Sequence, residues 1–173
     1  MLEELLASSS VRTLGHYLFL PETHLAVVVP GLISLAILGF YARQGRVSAR
    51  LQLLWMLALG VSFYCARWEV TPEVEQLYIY SAFSVACMLL LFRRIYVAPA
   101  LVYALTFLAL WWVDVAHALC RALECDEGLE RFYLGVGGAG AGDALVLVPL
   151  LTALTAAYAA GRIRARGERL AEL

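Results

Sequence analysis

The sequence predicts an all-α fold: a polytopic membrane helical bundle of five transmembrane helices, N-terminus outside and C-terminus cytoplasmic. Three observations carry that expectation. Of 173 residues, 62% are hydrophobic and only 16% charged, against roughly 45–50% and about 25% in ordinary soluble domains. The apolar residues fall in uncharged runs of membrane-spanning length, and the basic residues collect in alternate connections between those runs. A soluble domain of this size has too much surface to hide so much apolar area. The composition excludes a nucleic-acid binder and a disordered tail, and argues against a water-soluble enzyme.

All 13 basic residues are Arg, with no Lys and no Asn anywhere. That bias reads as GC-rich coding, and no function is attached to it.

A helix needs about 20 mostly apolar residues to cross the hydrocarbon core. Within a single unit, 1–173, such runs lie at about 25–42, 51–66, 76–92, 95–120 and 144–161. The second is short, and Arg50 and Arg67 flank it, where their stems can reach the two interfaces. The fourth is uncharged from Ile95 to Val113 and continues through Asp114 and His117 to Cys120. Membrane-barrel strands are excluded, because no alternating pattern accompanies these runs. The first 20 residues open with Glu3 and Glu4, unlike the basic start of a cleaved signal. Leu2, Leu5, Leu6, Leu14 and Leu18 share one loose face, so a short helix on the outer surface is expected, ending at Pro21.

Charge sets the orientation. Arg43, Arg46, Arg50, Arg93, Arg94, Arg162, Arg164, Arg166 and Arg169 fall on one side. The other side holds Arg12, Arg67, Arg121 and Arg131 among ten acids: Glu3, Glu4, Glu22, Glu69, Glu73, Glu75, Glu124, Asp126, Glu127 and Glu130. Basic loops stay cytoplasmic, so the chain is expected in a bacterial cytoplasmic (inner) membrane.

The predicted outer loop, 121–143, is acidic in its first half and reads LGVGGAGAG in its second. Of four cysteines, Cys87 is a small packing residue inside a span, while Cys120 and Cys125 face the oxidising side. A disulfide between them stays open: five apart on one helix they diverge, and Cys65 competes as a partner. C-x4-C without a second pair makes a poor metal site, so neither metal nor cofactor is expected.

Ionisable residues inside a span are costly, which makes them candidates for function. Asp114 and His117 stand three apart on one helix face. Arg67 and His24 end neighbouring spans on the same side and complete a possible intramembrane polar cluster. One reading is a clamp between helices. Another is a proton- or ion-handling site in a small transporter.

Asp143 ends the run Gly140-Ala141-Gly142-Asp143, which resembles the GxGD signature of intramembrane aspartyl proteases such as presenilin-like proteins and prepilin peptidases. The resemblance covers four residues. It implies Asp114 and Asp143 as paired catalytic carboxylates, one activating water while the other donates a proton. Val113 stands where presenilin-like enzymes carry Tyr, and the family's sites open to the cytoplasm. The alternative for Asp143 is an N-cap at the positive end of the last span.

Small residues in that span (Thr152, Ala153, Thr155, Ala156, Ala157, Ala160) suit close helix contact. Trp55, Trp68, Tyr78, Tyr80, Trp111 and Trp112 read as interfacial anchors. The function expected is that of a non-enzymatic accessory, assembly or immunity-type subunit. Its partners would be the lipid bilayer and another membrane protein or further copies of itself through the fifth span, with no nucleic acid.

Overall fold

A computed structural model describes residues 24–70, 75–78, 97–124 and 144–171, without the side chains of 67–70, 75–78, 118–124 and 163–171. A π-helical turn, His24–Val28, runs straight into α1 (Val29–Arg43). The turn lies just before Pro30, whose ring cannot join an ordinary helical ladder, and local π geometry accommodates such a residue inside a membrane. Together His24–Arg43 covers 20 residues at mean hydropathy 2.2, matching the predicted first span.

The end of α1 is closed by backbone alone. Gly45 takes φ +67°, its N–H donates to the Ala42 carbonyl at 2.9 Å, and Arg46 N–H donates to the Tyr41 carbonyl at 3.1 Å. This is a Schellman motif, in which a left-handed residue turns the chain back onto the last carbonyls. Three residues later Ser48 caps α2 (Ala49–Cys65), its Oγ accepting from Leu51 N–H at 3.2 Å. The connection is a tight helical hairpin with a cap on each helix end. At 17 residues α2 is the shortest α-helix described after α1, about 26 Å long at about 1.5 Å per residue.

Two strands follow. β1 (Arg67–Val70) pairs antiparallel with β2 (Glu75–Tyr78), with Arg67 opposite Tyr78 and Val70 opposite Glu75. This short hairpin is added to an otherwise all-helical fold and takes the place of the start of the predicted third span. Gln76–Tyr78 lie in β2, and the pair is made of residue types that strands favour, Trp68 and Val70 in β1 and Tyr78 in β2. The remainder of that span, 79–92, lies outside the described residues.

The fourth run is helical as α3 (Pro99–Glu124). It starts at Pro99 rather than at 95, because Pro suits the first helical position and disfavours helix at the residue before it. It continues past 120 through Arg121-Ala122-Leu123-Glu124, all good helix formers, into what the sequence assigns to the outer loop. α4 (Ala144–Ala171) likewise passes the predicted stop at 161, through an arginine-rich stretch of Ala, Leu and Glu. Inside it, Thr152 and Thr155 donate their hydroxyls to the Val148 and Leu151 carbonyls at 2.7 and 2.8 Å, which satisfies them within an apolar layer.

Among the described residues, three segments are long and apolar enough to cross a membrane: His24–Arg43, Pro99–His117 and Ala144–Arg162. The fold is a helical bundle of membrane type. α3 is its axis, packing against α1, α2 and α4. Phe107 lies fully buried against Gly31 of α1, where an added Cβ would stand 3.7 Å from the ring. Leu51, Leu101 and Leu105 form a second knot with Leu38, Tyr41 and Trp55.

Two hydrogen bonds fix the relative direction of α2 and α3. Trp55 Nε1 donates to the Leu105 carbonyl at 3.0 Å, and His117 Nε2 meets the Phe63 carbonyl at 2.9 Å. Both positions advance along both helices, so α2 and α3 run parallel.

Candidate functional site

Asp114 and His117 lie on successive turns of α3 near the end where α2 finishes. Asp114 is only 8% exposed. It is therefore a carboxylate inside the apolar layer, flanked on α3 by the fully buried Leu110 and Val113. A charge held there must be matched by polar partners, because hydrocarbon cannot solvate it.

His117 has a specific task. In a continued helix the Phe63 carbonyl would accept from the N–H of Arg67, but Arg67 has already entered β1. Helix ends leave such carbonyls without partners. The Nε2–H of His117 supplies the missing donor at 2.9 Å, and its ring stacks on the Phe63 ring at 4.5 Å with planes 27° apart. A carbonyl acceptor requires the hydrogen on Nε2, which fixes the tautomer. His117 thus ties the end of α2 to α3, as cationic or donor side chains commonly do at helix C-termini.

The other members of the predicted cluster are placed differently. His24 is exposed at the first turn and makes no hydrogen bond or ion pair with another described residue. Arg67 opens β1, and its side chain lies outside the described residues. Asp143 and Cys125 also lie outside them, and Cys120 is described only in its backbone within α3. The Asp114–Asp143 pair and the Cys120–Cys125 bond therefore fall outside the described residues. Cys65 carries a free thiol, half-buried at the end of α2. Among the described residues no group of three or more His, Cys, Asp or Glu side chains gathers as a metal site.

Several polar residues that the hydropathy pattern hides turn out to be buried. Ser34, Ser62 and Thr106 are wholly buried, and their hydroxyls have no hydrogen-bond partner among the described residues. Each is a single hydroxyl inside an apolar run, a signal the sequence contains but does not rank. Trp55, expected as an interfacial anchor, is instead half-buried and bonded to the backbone of α3, seven residues into α2. Its indole needs a partner wherever it is desolvated, and a helix carbonyl provides one.

Beyond Trp55 an open, almost wholly apolar groove of about 600 Å³ follows α2 and α3, lined by Met56, Gly60, Phe63, Leu108 and Trp112. Comparison with protein-family models, with curated proteins and with solved structures finds no match.

Proposed function

We propose that the protein is a non-enzymatic subunit of a bacterial cytoplasmic membrane, joined to other copies or to another membrane protein through the faces of its peripheral helices. The observation that carries this reading is a set of outward glycines. Gly39 of α1, Gly60 of α2 and Gly161 of α4 are exposed, and a Cβ added at any of them would meet nothing within 4 Å. Lipid chains do not reward glycine, whereas a second helix can approach its backbone closely. On α4, Ala157 and Gly161 stand four apart on one exposed face, the small-xxx-small spacing that such contacts use.

Five spans, with the N-terminus outside, belong to the same proposal. The parallel course of α2 and α3 supports it. The chain leaves α2 at one end of the bundle and begins α3 at the other, so these two points are separated by about the length of α2. That distance is about 26 Å, close to the roughly 30 Å of a hydrocarbon core. The exposed Arg43, Arg46 and Arg50 at the α1–α2 hairpin support the cytoplasmic assignment of that end.

Purification of the full chain in mild detergent tests the reading. A stoichiometric partner or a defined oligomer is expected, and Gly161→Leu should release it while the chain stays folded. A clean monomer at all concentrations would sink the subunit reading.

The burial of Asp114 also keeps a second reading in play, an intramembrane aspartyl protease with Asp143 as the other carboxylate. Asp114→Ala and Asp143→Ala should then each abolish cleavage of a co-expressed membrane substrate, and retained cleavage in either would exclude it. In the transporter reading, Asp114→Asn should stop a proton or ion flux in liposomes.

A further inference from the structure

Where α1 hands over to α2, a cavity of about 350 Å³ opens between their connection and the start of α3. Its polar side is formed by Tyr41, Arg46 and Ser48, and its apolar side by Leu51, Val97 and Leu101. Leu51 also lines a neighbouring cavity of about 390 Å³, which runs past Leu38 and Val47 to Trp55 and Leu105 and is mainly apolar. The two meet at Leu51, giving a recess that is polar at the end of the bundle and greasy toward its middle.

The polar side carries only groups able to donate. The Arg46 guanidinium has no hydrogen bond or ion pair with another described residue, and its planar fork matches phosphate oxygens. Ser48 Oγ already accepts from Leu51 N–H at 3.2 Å, which leaves its own O–H to donate outward. Tyr41 adds a phenolic O–H. Among the described residues no carboxylate lines either cavity, and Arg43 and Arg50 of the same connection are exposed. The site is also held in shape: Arg46 N–H donates to the Tyr41 carbonyl at 3.1 Å within the Schellman turn.

Donors above and hydrocarbon below describe the headgroup and chain of a membrane lipid. Basic pockets between helices at a membrane surface bind anionic headgroups in this manner. We propose that this end of the bundle holds one anionic phospholipid, its phosphate on Arg46, Tyr41 and Ser48 and an acyl chain beside Leu51 toward Trp55. The proposal needs the chain to be in a membrane, and is independent of its orientation, its partners and its number of spans.

Native mass spectrometry of the full chain, released from detergent with phosphatidylglycerol or phosphatidylcholine at equal concentration, tests it. Phosphatidylglycerol should be retained about tenfold more than phosphatidylcholine, whose choline ammonium competes with Arg46 for the phosphate charge. Arg46→Ala should remove that preference, while Arg43→Ala, outside the cavity, should keep it. Inorganic phosphate in excess should not displace the lipid. Unchanged melting temperatures would show that both variants fold; Arg46→Gln replaces Arg46→Ala if that one does not. Equal retention of the two lipids, or a preference that survives loss of Arg46, would overturn the proposal. So would an equal loss in Arg43→Ala, which would mean diffuse surface charge, or displacement by inorganic phosphate, which would mean a free-anion site.

Discussion

α3 and α4 are both long and apolar enough to cross a membrane, yet 56% of the spanning window of α3 is buried within the protein against 17% for α4. The order of hydropathy is the reverse. The buried window averages 1.6, while α4 averages 1.9 and the equally peripheral first span 2.2. Lipid is the reason. A helix facing hydrocarbon has nothing to pair a polar group with, so it must be apolar nearly all round. A helix surrounded by others can carry Thr106, Asp114 and His117, and for His117 the neighbouring helix supplies the acceptor. In a bilayer the least greasy span is the one to look for at the centre.

The contrast can be broken by mutation, and the largest effect belongs to α3. Phe107→Ala should cost about 3 kcal/mol in chemical unfolding in mild detergent, since it opens a cavity against Gly31. A loss of only a few tenths would mean that α3 is not the packed axis.

His117→Ala should cost about 2 kcal/mol, because it leaves the Phe63 carbonyl without its donor and unstacks the Phe63 ring. In a background where Cys65 is the sole cysteine, the same change should speed thiol labelling at the end of α2. An unchanged labelling rate would mean that His117 does not hold that end.

Thr106→Val should move stability the other way, by about 1 kcal/mol, since it replaces a buried hydroxyl that has no partner among the described residues with a methyl of the same shape. Destabilisation there would reveal a polar partner for Thr106. The smallest effect belongs to the periphery: Leu154→Ala in α4, at a residue 57% exposed, should change stability by less than about 0.5 kcal/mol. A larger loss would show that a second helix covers that face, which bears directly on the subunit reading.

Much of the local structure was legible. An uncharged run from Leu25 to Ala42 became His24–Arg43, and Ala144 began the last helix as expected. Gly45 followed by Ser48 is a readable helix stop and start. The hairpin was hidden because Gln76–Tyr78 are uncharged, and a hydropathy run cannot tell a strand from the edge of a span. The candidate site was legible only in part. Asp114 and His117 stand out as ionisable residues in an apolar run, but the partner of His117 is a backbone carbonyl 54 positions away. No side-chain pattern announces a backbone acceptor.

The sequence by itself determined the solvent and the helices. Composition demands lipid, because so much apolar surface cannot be covered by a chain of 173 residues, and run lengths place the helical segments along it. Only the tertiary structure decided that α3 is the axis, that Trp55 and His117 bind the backbones of α3 and α2, and that Arg46 stands over an apolar recess. Hydropathy is a property of each segment alone, whereas burial and hydrogen bonding belong to pairs of segments and depend on which faces meet.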